Sequence, residues 1–134
     1  MKAFINCVGK HDSLGQDRIS EIRGLVEFGG KPTIVHTLDN LANLNVEEPI
    51  LVYTNKEHYQ TYKKSLKDYP VNIQPYNGLK NPLIVYYNAM KQFAGEHIIL
   101  IADDNLFDFS LEGLVETFKQ KMIMCWRQEN FQKL

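Results

Sequence analysis

The stretch that most constrains this chain is His97–Phe109, HIILIADDNLFDF. Ile98, Ile99, Leu100 and Ile101 run into Ala102 and stop at Asp103-Asp104-Asn105. A continuous aliphatic run of this length predicts a central strand buried on both faces, as in a parallel sheet. Carboxylates where such a strand ends lie at the carboxyl edge of the sheet, where open α/β folds bind ligands. Asp104 is therefore the first functional candidate. The same residues are also ordinary turn formers, because Asp and Asn side chains bond the local backbone.

Composition narrows the partners. At 134 residues the chain fits one domain with a real core, and 44% hydrophobic with 23% charged residues is ordinary for a globular protein. Fifteen Lys and Arg against sixteen Asp and Glu give no electrostatic pointer to nucleic acid or an anionic membrane, which leaves a small ligand. The apolar run after Met1-Lys2, Ala3–Val8 broken by Asn6, is too short for a secretory or membrane segment, so the expected compartment is the cytoplasm. Cys7 and Cys125 fall in predicted core strands as reduced, buried thiols, with no metal-ligand spacing around them.

In chain order, Lys2–Val8 predicts a first strand ending at Gly9, and Lys10–Phe28 a long loop with a helical turn around Arg18–Ile22. A loop of that length in a compact domain is usually functional or mobile. Gly29-Gly30-Lys31-Pro32 punctuates the chain, and Pro32 starts a helix to about Leu44 with Ile34, Val35, Leu38, Leu41 and Ala42 on one face. Ile50–Tyr53 is the next strand. Lys56–Lys67 is a helix with Tyr59, Tyr62 and Leu66 inward, and Val71–Gln74 a short strand.

Pro75–Lys80 is a turn-rich loop containing Asn77-Gly78. Asn81-Pro82 then opens a helix with Leu83, Tyr87, Met90 and Phe93 as its buried stripe, ended by Gly95. After the aliphatic strand, Ser110 caps a helix Leu111–Lys121 lined by Leu111, Leu114, Val115 and Phe118, and Met122–Trp126 is a final strand. Such alternation predicts a single three-layer, Rossmann-like α/β domain over residues 1–134, its mostly parallel sheet covered by helices on both faces. A phosphoacceptor receiver domain has a similar order but needs acidic residues after its first strand, where this chain has Cys7-Val8-Gly9.

Several stretches together resemble the sugar-1-phosphate nucleotidyltransferases, also called nucleotide-sugar pyrophosphorylases. A strand leading to Gly9, a long loop and Leu25-Val26-Glu27-Phe28-Gly29-Gly30-Lys31-Pro32 entering a helix look like that family's N-terminal signature. Val52-Tyr53-Thr54-Asn55 before a tyrosine-rich helix is similar to its second strand and helix. Ile101-Ala102-Asp103-Asp104-Asn105-Leu106-Phe107, with Phe109-Ser110-Leu111, resembles its metal-binding segment.

The resemblance implies attack by a sugar 1-phosphate on the α-phosphorus of a nucleoside triphosphate, forming a nucleotide sugar and pyrophosphate. Such transfer relies on Mg²⁺ and cationic groups around the phosphates, with little covalent work by the protein. Asp104 matches the family's metal aspartate, a hard oxygen ligand suited to Mg²⁺. Arg23 matches the family's loop lysine, and with Lys31 it forms the implied catalytic set. Gly9 and Lys10, together with Asn77-Gly78, are the implied nucleotide-binding positions.

The departures lie in the first loop, where the family's arginine becomes Ser13, and before the third helix, where Asn81-Pro82-Leu83-Ile84 replaces small residues. Family members continue beyond the position of Leu134 into a sugar-phosphate segment with a second metal aspartate, so the expected unit is the nucleotide-binding half. Two alternatives remain open. One is a non-catalytic relative acting as a nucleotide-binding or interaction subunit. The other is a homo-oligomer or a partner chain that supplies the other half.

Overall fold

A computed structural model describes residues 1–9, 22–103, 105–106 and 110–132, with 122–132 as backbone only. The elements are β1 (Lys2–Cys7), β2 (Glu27–Phe28), β3 (Lys31–Pro32), α1 (Thr33–Ala42), β4 (Ile50–Thr54), α2 (Tyr59–Ser65), β5 (Val71–Pro75), α3 (Pro82–Gln92), β6 (Ile98–Ala102) and α4 (Leu111–Gln132). Four strands form a parallel sheet in the order β5-β4-β1-β6, and β2 and β3 form a separate antiparallel hairpin.

Period-two alternation along the two central strands sorts the core into two layers. Ala3, Ile5 and Cys7 of β1, with Ile50 and Val52 of β4, pack under Ile34, Val35, Leu38 and Leu41 of α1 and Tyr62 and Leu66 of the α2 region. Phe4 and Val8, with Leu51 and Tyr53, face Val85 and Ala89 of α3 on the other side. Each fully buried aliphatic or aromatic side chain stabilises the fold by roughly 1.5–3 kcal/mol relative to exposure, so these two layers are the main source of stability. The expected three-layer parallel architecture is thus present.

Four expectations need correction. Among the described residues the aliphatic strand is not flanked on both sides: β6 pairs with β1, and Leu100 is 40% exposed. Uninterrupted hydrophobicity reports burial of parts of both faces and carries no information on strand order. Met122–Trp126 is not a strand, because α4 continues through it to Gln132, and so Cys125 is helical. No glycine, proline or asparagine occurs from Leu114 to Glu129 to end the helix, and a short apolar run cannot be told from helix by periodicity alone.

The buried line of α3 follows Val85 and Ala89, whereas Leu83, Tyr87 and Met90 are exposed. Likewise Leu111 of α4 is buried while Leu114 and Phe118 are open to solvent. In both helices the inward face was set by which neighbours the sheet offered, and apolar spacing alone named the wrong one. Finally, the long loop is structured at its end. Arg23–Leu25 forms a 3-10 turn and Glu27–Phe28 pairs with Lys31–Pro32 across Gly29-Gly30, whose φ values of +59° and +81° suit a tight two-residue hairpin turn. The rest of that loop, Lys10 included, lies outside the described residues.

Candidate functional site

The carboxyl ends of β1, β4 and β6 converge, and buried polar side chains tie them together. Asn6 Oδ1 accepts the Val8 N–H at 2.9 Å, which turns the chain out of β1. Asn55, just past β4 and only 2% exposed, brackets Gly9: its Oδ1 accepts the Gly9 N–H at 3.3 Å and its Nδ2 donates to the Gly9 carbonyl at 2.9 Å. Gly9 has φ +139°, a conformation that side-chain-bearing residues rarely adopt. The loop mouth is therefore held by Asn55 and shaped by glycine.

On the β6 side, the Asp103 N–H donates to the Asn6 carbonyl at 3.2 Å and carries the β1–β6 ladder one residue past the strand. Alternation then directs the Asp103 side chain to the same face as Ile99 and Ile101, into the layer that holds Cys7 and Tyr62. There it is fully buried and meets the guanidinium of Arg23, with Nη2 2.6 Å and Nε 2.9 Å from Oδ1. A buried carboxylate requires such a partner, since its desolvation is otherwise uncompensated.

The Arg23 turn reaches that position because two features press it inward. Thr33 at the start of α1 donates both its N–H (2.9 Å) and its hydroxyl (2.8 Å) to the Val26 carbonyl. Gly24 packs directly under the Tyr62 hydroxyl, and a Cβ there would also lie 3.3 Å from Asp103 Cβ and Oδ2. Burial, with the nearby Asp103 charge, pushes the Cys7 thiol well above its ordinary pKa, and burial likewise raises Tyr62. Both stay neutral at physiological pH. The arrangement is chemically a cation fixed by a buried carboxylate at the carboxyl edge of the sheet.

The remaining predicted positions are less convergent. Lys31 lies in β3 and pairs with Asp39 of α1 at 2.9 Å in an exposed contact. Its ammonium is thus directed to a helix surface, and Arg23 is the cation placed on the carboxyl edge. Asn77 and Gly78 follow β5 in an exposed turn, where the Tyr76 ring lies over Gly78 and the Tyr76 hydroxyl donates to the Leu79 carbonyl at 3.1 Å. Lys10 and Asp104 fall outside the described residues. Among the described residues no group of three His, Cys, Asp or Glu could hold a metal ion, and no helix is long and apolar enough to cross a membrane.

Residues 20–126 match the family model for nucleotidyl transferases. The chain belongs to the nucleotidyl transferase family. Among curated members of that family it is 26% identical over 121 residues to the UTP–glucose-1-phosphate uridylyltransferase AglF of Haloferax volcanii, a match covering 87% of this chain and 48% of that protein. It is 31% identical over 111 residues to a mannose-1-phosphate guanyltransferase of Saccharomyces cerevisiae, covering 77% of this chain and 30% of that one.

The same fold occurs in a Bacillus anthracis protein assigned as a glucose-1-phosphate thymidylyltransferase and crystallised with sucrose. That likeness has a TM-score of 0.78 at 19% identity, over 90% of this chain and 50% of the other. A nucleotidyl transferase from Methanothermobacter gives 0.62 at 18% identity, over 77% and 50%. This nucleotidyl transferase chain therefore spans at most about half the length of the relatives it matches.

Asn55, Gly24 and Asp103 carry the geometry of the edge, yet only the neighbour of Asp103 stood out from sequence. For Asp103 a usable signal existed: it has the same parity as the inward-facing Ile99 and Ile101. Asn55 stands in the sequence only as the last residue of the Val52-Tyr53-Thr54-Asn55 resemblance, without a role, and Gly24 is not a site candidate there; their partners lie 46 and 38 or more residues away in the chain.

Proposed function

We propose that this chain binds a nucleoside triphosphate at the carboxyl edge of its sheet, with Arg23 against the phosphates and Asp104 as the Mg²⁺ ligand, in the service of nucleotidyl transfer to a sugar 1-phosphate. The observation that carries the reading is the Arg23–Asp103 pair: it fixes a guanidinium at the end of β6, one residue before Asp104. Family membership and the sugar-1-phosphate substrates in the names of the two curated relatives support the reaction class.

The donor chemistry fits the metal. Asp103 is committed to Arg23, which leaves the Asp104 carboxylate, a hard oxygen donor, and Mg²⁺ is commonly held by one or two carboxylates with phosphates and water completing its shell. Bound there, the ion would offset phosphate charge. Arg23 would orient the triphosphate through N–H donors, a task for which a planar guanidinium suits better than an ammonium. Gly9, held open by Asn55, would let backbone approach the phosphates closely.

Isothermal titration of the chain with each common nucleoside triphosphate, with and without Mg²⁺, tests this. Mg²⁺-dependent binding that Arg23→Ala weakens at least tenfold is expected, and absence of binding to any triphosphate rejects the reading. A second reading, a binding subunit with little turnover of its own, is favoured by the Asp103 carboxylate, which neutralises the Arg23 charge, and by Ser13 in place of the loop arginine. Pyrophosphate release with several sugar 1-phosphates separates the two: turnover on the order of 1 s⁻¹ or faster is normal for an enzyme and rejects the binding-only reading.

A further inference from the structure

Away from the β6 end, α2 and β5 leave between them a groove of about 470 Å³, within the size range of small-molecule sites. It is built entirely from residues 59–73, all of them described. Tyr59, Lys63 and Lys67 recur at the four-residue spacing that puts side chains on one face of a helix and the turn continuing it, and Leu66 beside them is fully buried. Val71 and Ile73 share one face of β5 by its two-residue period and pack, only partly buried, against the core layer that holds Tyr62 and Leu66. They supply apolar lining, and Tyr69, from the turn joining helix to strand, adds a second aromatic ring.

The charge in this groove has one sign. No aspartate or glutamate lines it, and among the described residues neither the Lys63 nor the Lys67 ammonium has a carboxylate within ion-pair distance. Lys63 Nζ lies 5.6 Å from the centroid of the Tyr59 ring, within cation–π range, which holds this ammonium beside an aromatic face of the same groove. Like charges four residues apart along a helix repel, so the two lysines contribute nothing favourable to the fold. An anion between them relieves the repulsion and accepts charge-assisted hydrogen bonds.

We propose that this groove binds a small molecule made of a flat apolar body and one anionic head, the head at the Lys63 and Lys67 ammoniums and the body against Tyr59, Tyr69, Val71 and Ile73. Charge complementarity selects the head. Lysine ammoniums are compact charges that accept a phosphate or a carboxylate alike. The lining selects the body, since aromatic rings and aliphatic side chains reward burial of an apolar ring and offer few partners to a polar one. Aryl carboxylates and aryl phosphates share this chemistry. Strands β4 and β1 lie between β5 and the end of β6 where Arg23 meets Asp103, so the inference is independent of triphosphate binding.

Amide-resolved NMR titration of the full chain with phenyl phosphate and with naphthoate tests it, with benzyl alcohol as the uncharged counterpart and unchanged spectra elsewhere as the folding control. Both anions are expected to give saturable shifts centred on the Tyr69 and Ile73 amides. Lys63→Gln and Lys67→Gln, at exposed positions, are each expected to weaken them roughly threefold, the size of one exposed charge contact, and benzyl alcohol to bind roughly tenfold more weakly because it lacks both. Lys91→Gln, which removes an ammonium standing over Tyr87 on α3, is expected to change nothing. Tighter binding of phenyl phosphate supports a phosphate head, and tighter binding of naphthoate a carboxylate head. Absence of saturable shifts in the groove overturns the proposal, as does equal affinity for benzyl alcohol, or equal weakening by Lys91→Gln, which marks diffuse charge attraction. Arg23→Ala is expected to leave the groove shifts in place while weakening triphosphate binding, so either reading can fail without the other.

Discussion

Arg23 and Asp103 meet through a single carboxylate oxygen, with Nη2 2.6 Å and Nε 2.9 Å from Oδ1. The aspartate is fully buried and the arginine side chain 17% exposed, so this contact is made largely out of water. Removing one member leaves a buried charge without its partner, at a cost of about 3–5 kcal/mol. Asp103→Ala is therefore expected to lower unfolding free energy by that amount in urea titration. Lys31→Ala, which breaks the exposed pair with Asp39, is expected to leave the urea midpoint in place.

Asp104 should behave in the opposite way to its neighbour. If it holds Mg²⁺, Asp104→Ala leaves the urea midpoint within error of wild type and abolishes the Mg²⁺-dependent part of triphosphate affinity in calorimetric titration. Equal losses of affinity in Asp103→Ala and Asp104→Ala, measured where both are folded, would reject the separation of roles.

Gly24 is required by packing. A Cβ at this position collides with the Tyr62 hydroxyl and presses on Asp103, so Gly24→Ala is expected to cost about 1–3 kcal/mol. Tyr62→Phe removes the colliding oxygen. The double variant should accordingly be less destabilised than the two single changes added together, and a double-mutant cycle with no coupling would show that the clash is relieved elsewhere.

Alkaline pH should weaken the fold through Cys7 and Tyr62. Both have folded-state pKa values raised by burial above their ordinary 9.0 and 10.0. Above those values the unfolded chain releases protons that the folded chain retains, so stability is fully present below pH about 9 and falls as pH rises beyond it. Thermal melts between pH 7 and 11 are expected to show a declining midpoint above pH 9. Cys7→Ala should flatten the first part of that decline, and an unchanged slope in this variant would assign the loss to other groups.

The strands β1, β4 and β5, the helices α1 and α2, the existence of α3 and the parallel architecture follow from local pattern, because a burial face repeats at the period of its own element. Arg23 stands out through the resemblance of its loop to the family's signature and not by local pattern. Tertiary structure decided what local pattern does not encode. Among the described residues it set β6 beside β1, because strand order depends on where crossovers land and not on how apolar a strand is. It turned Val85 and Ala89 inward in place of Leu83 and Tyr87, because α3 packs against Phe4 and Tyr53 from strands that precede it in the chain. Most consequentially, it brought Asp103 to Arg23 across 80 residues of sequence. A buried carboxylate takes whichever cation the fold delivers, and only the closed sheet edge determines which one that is.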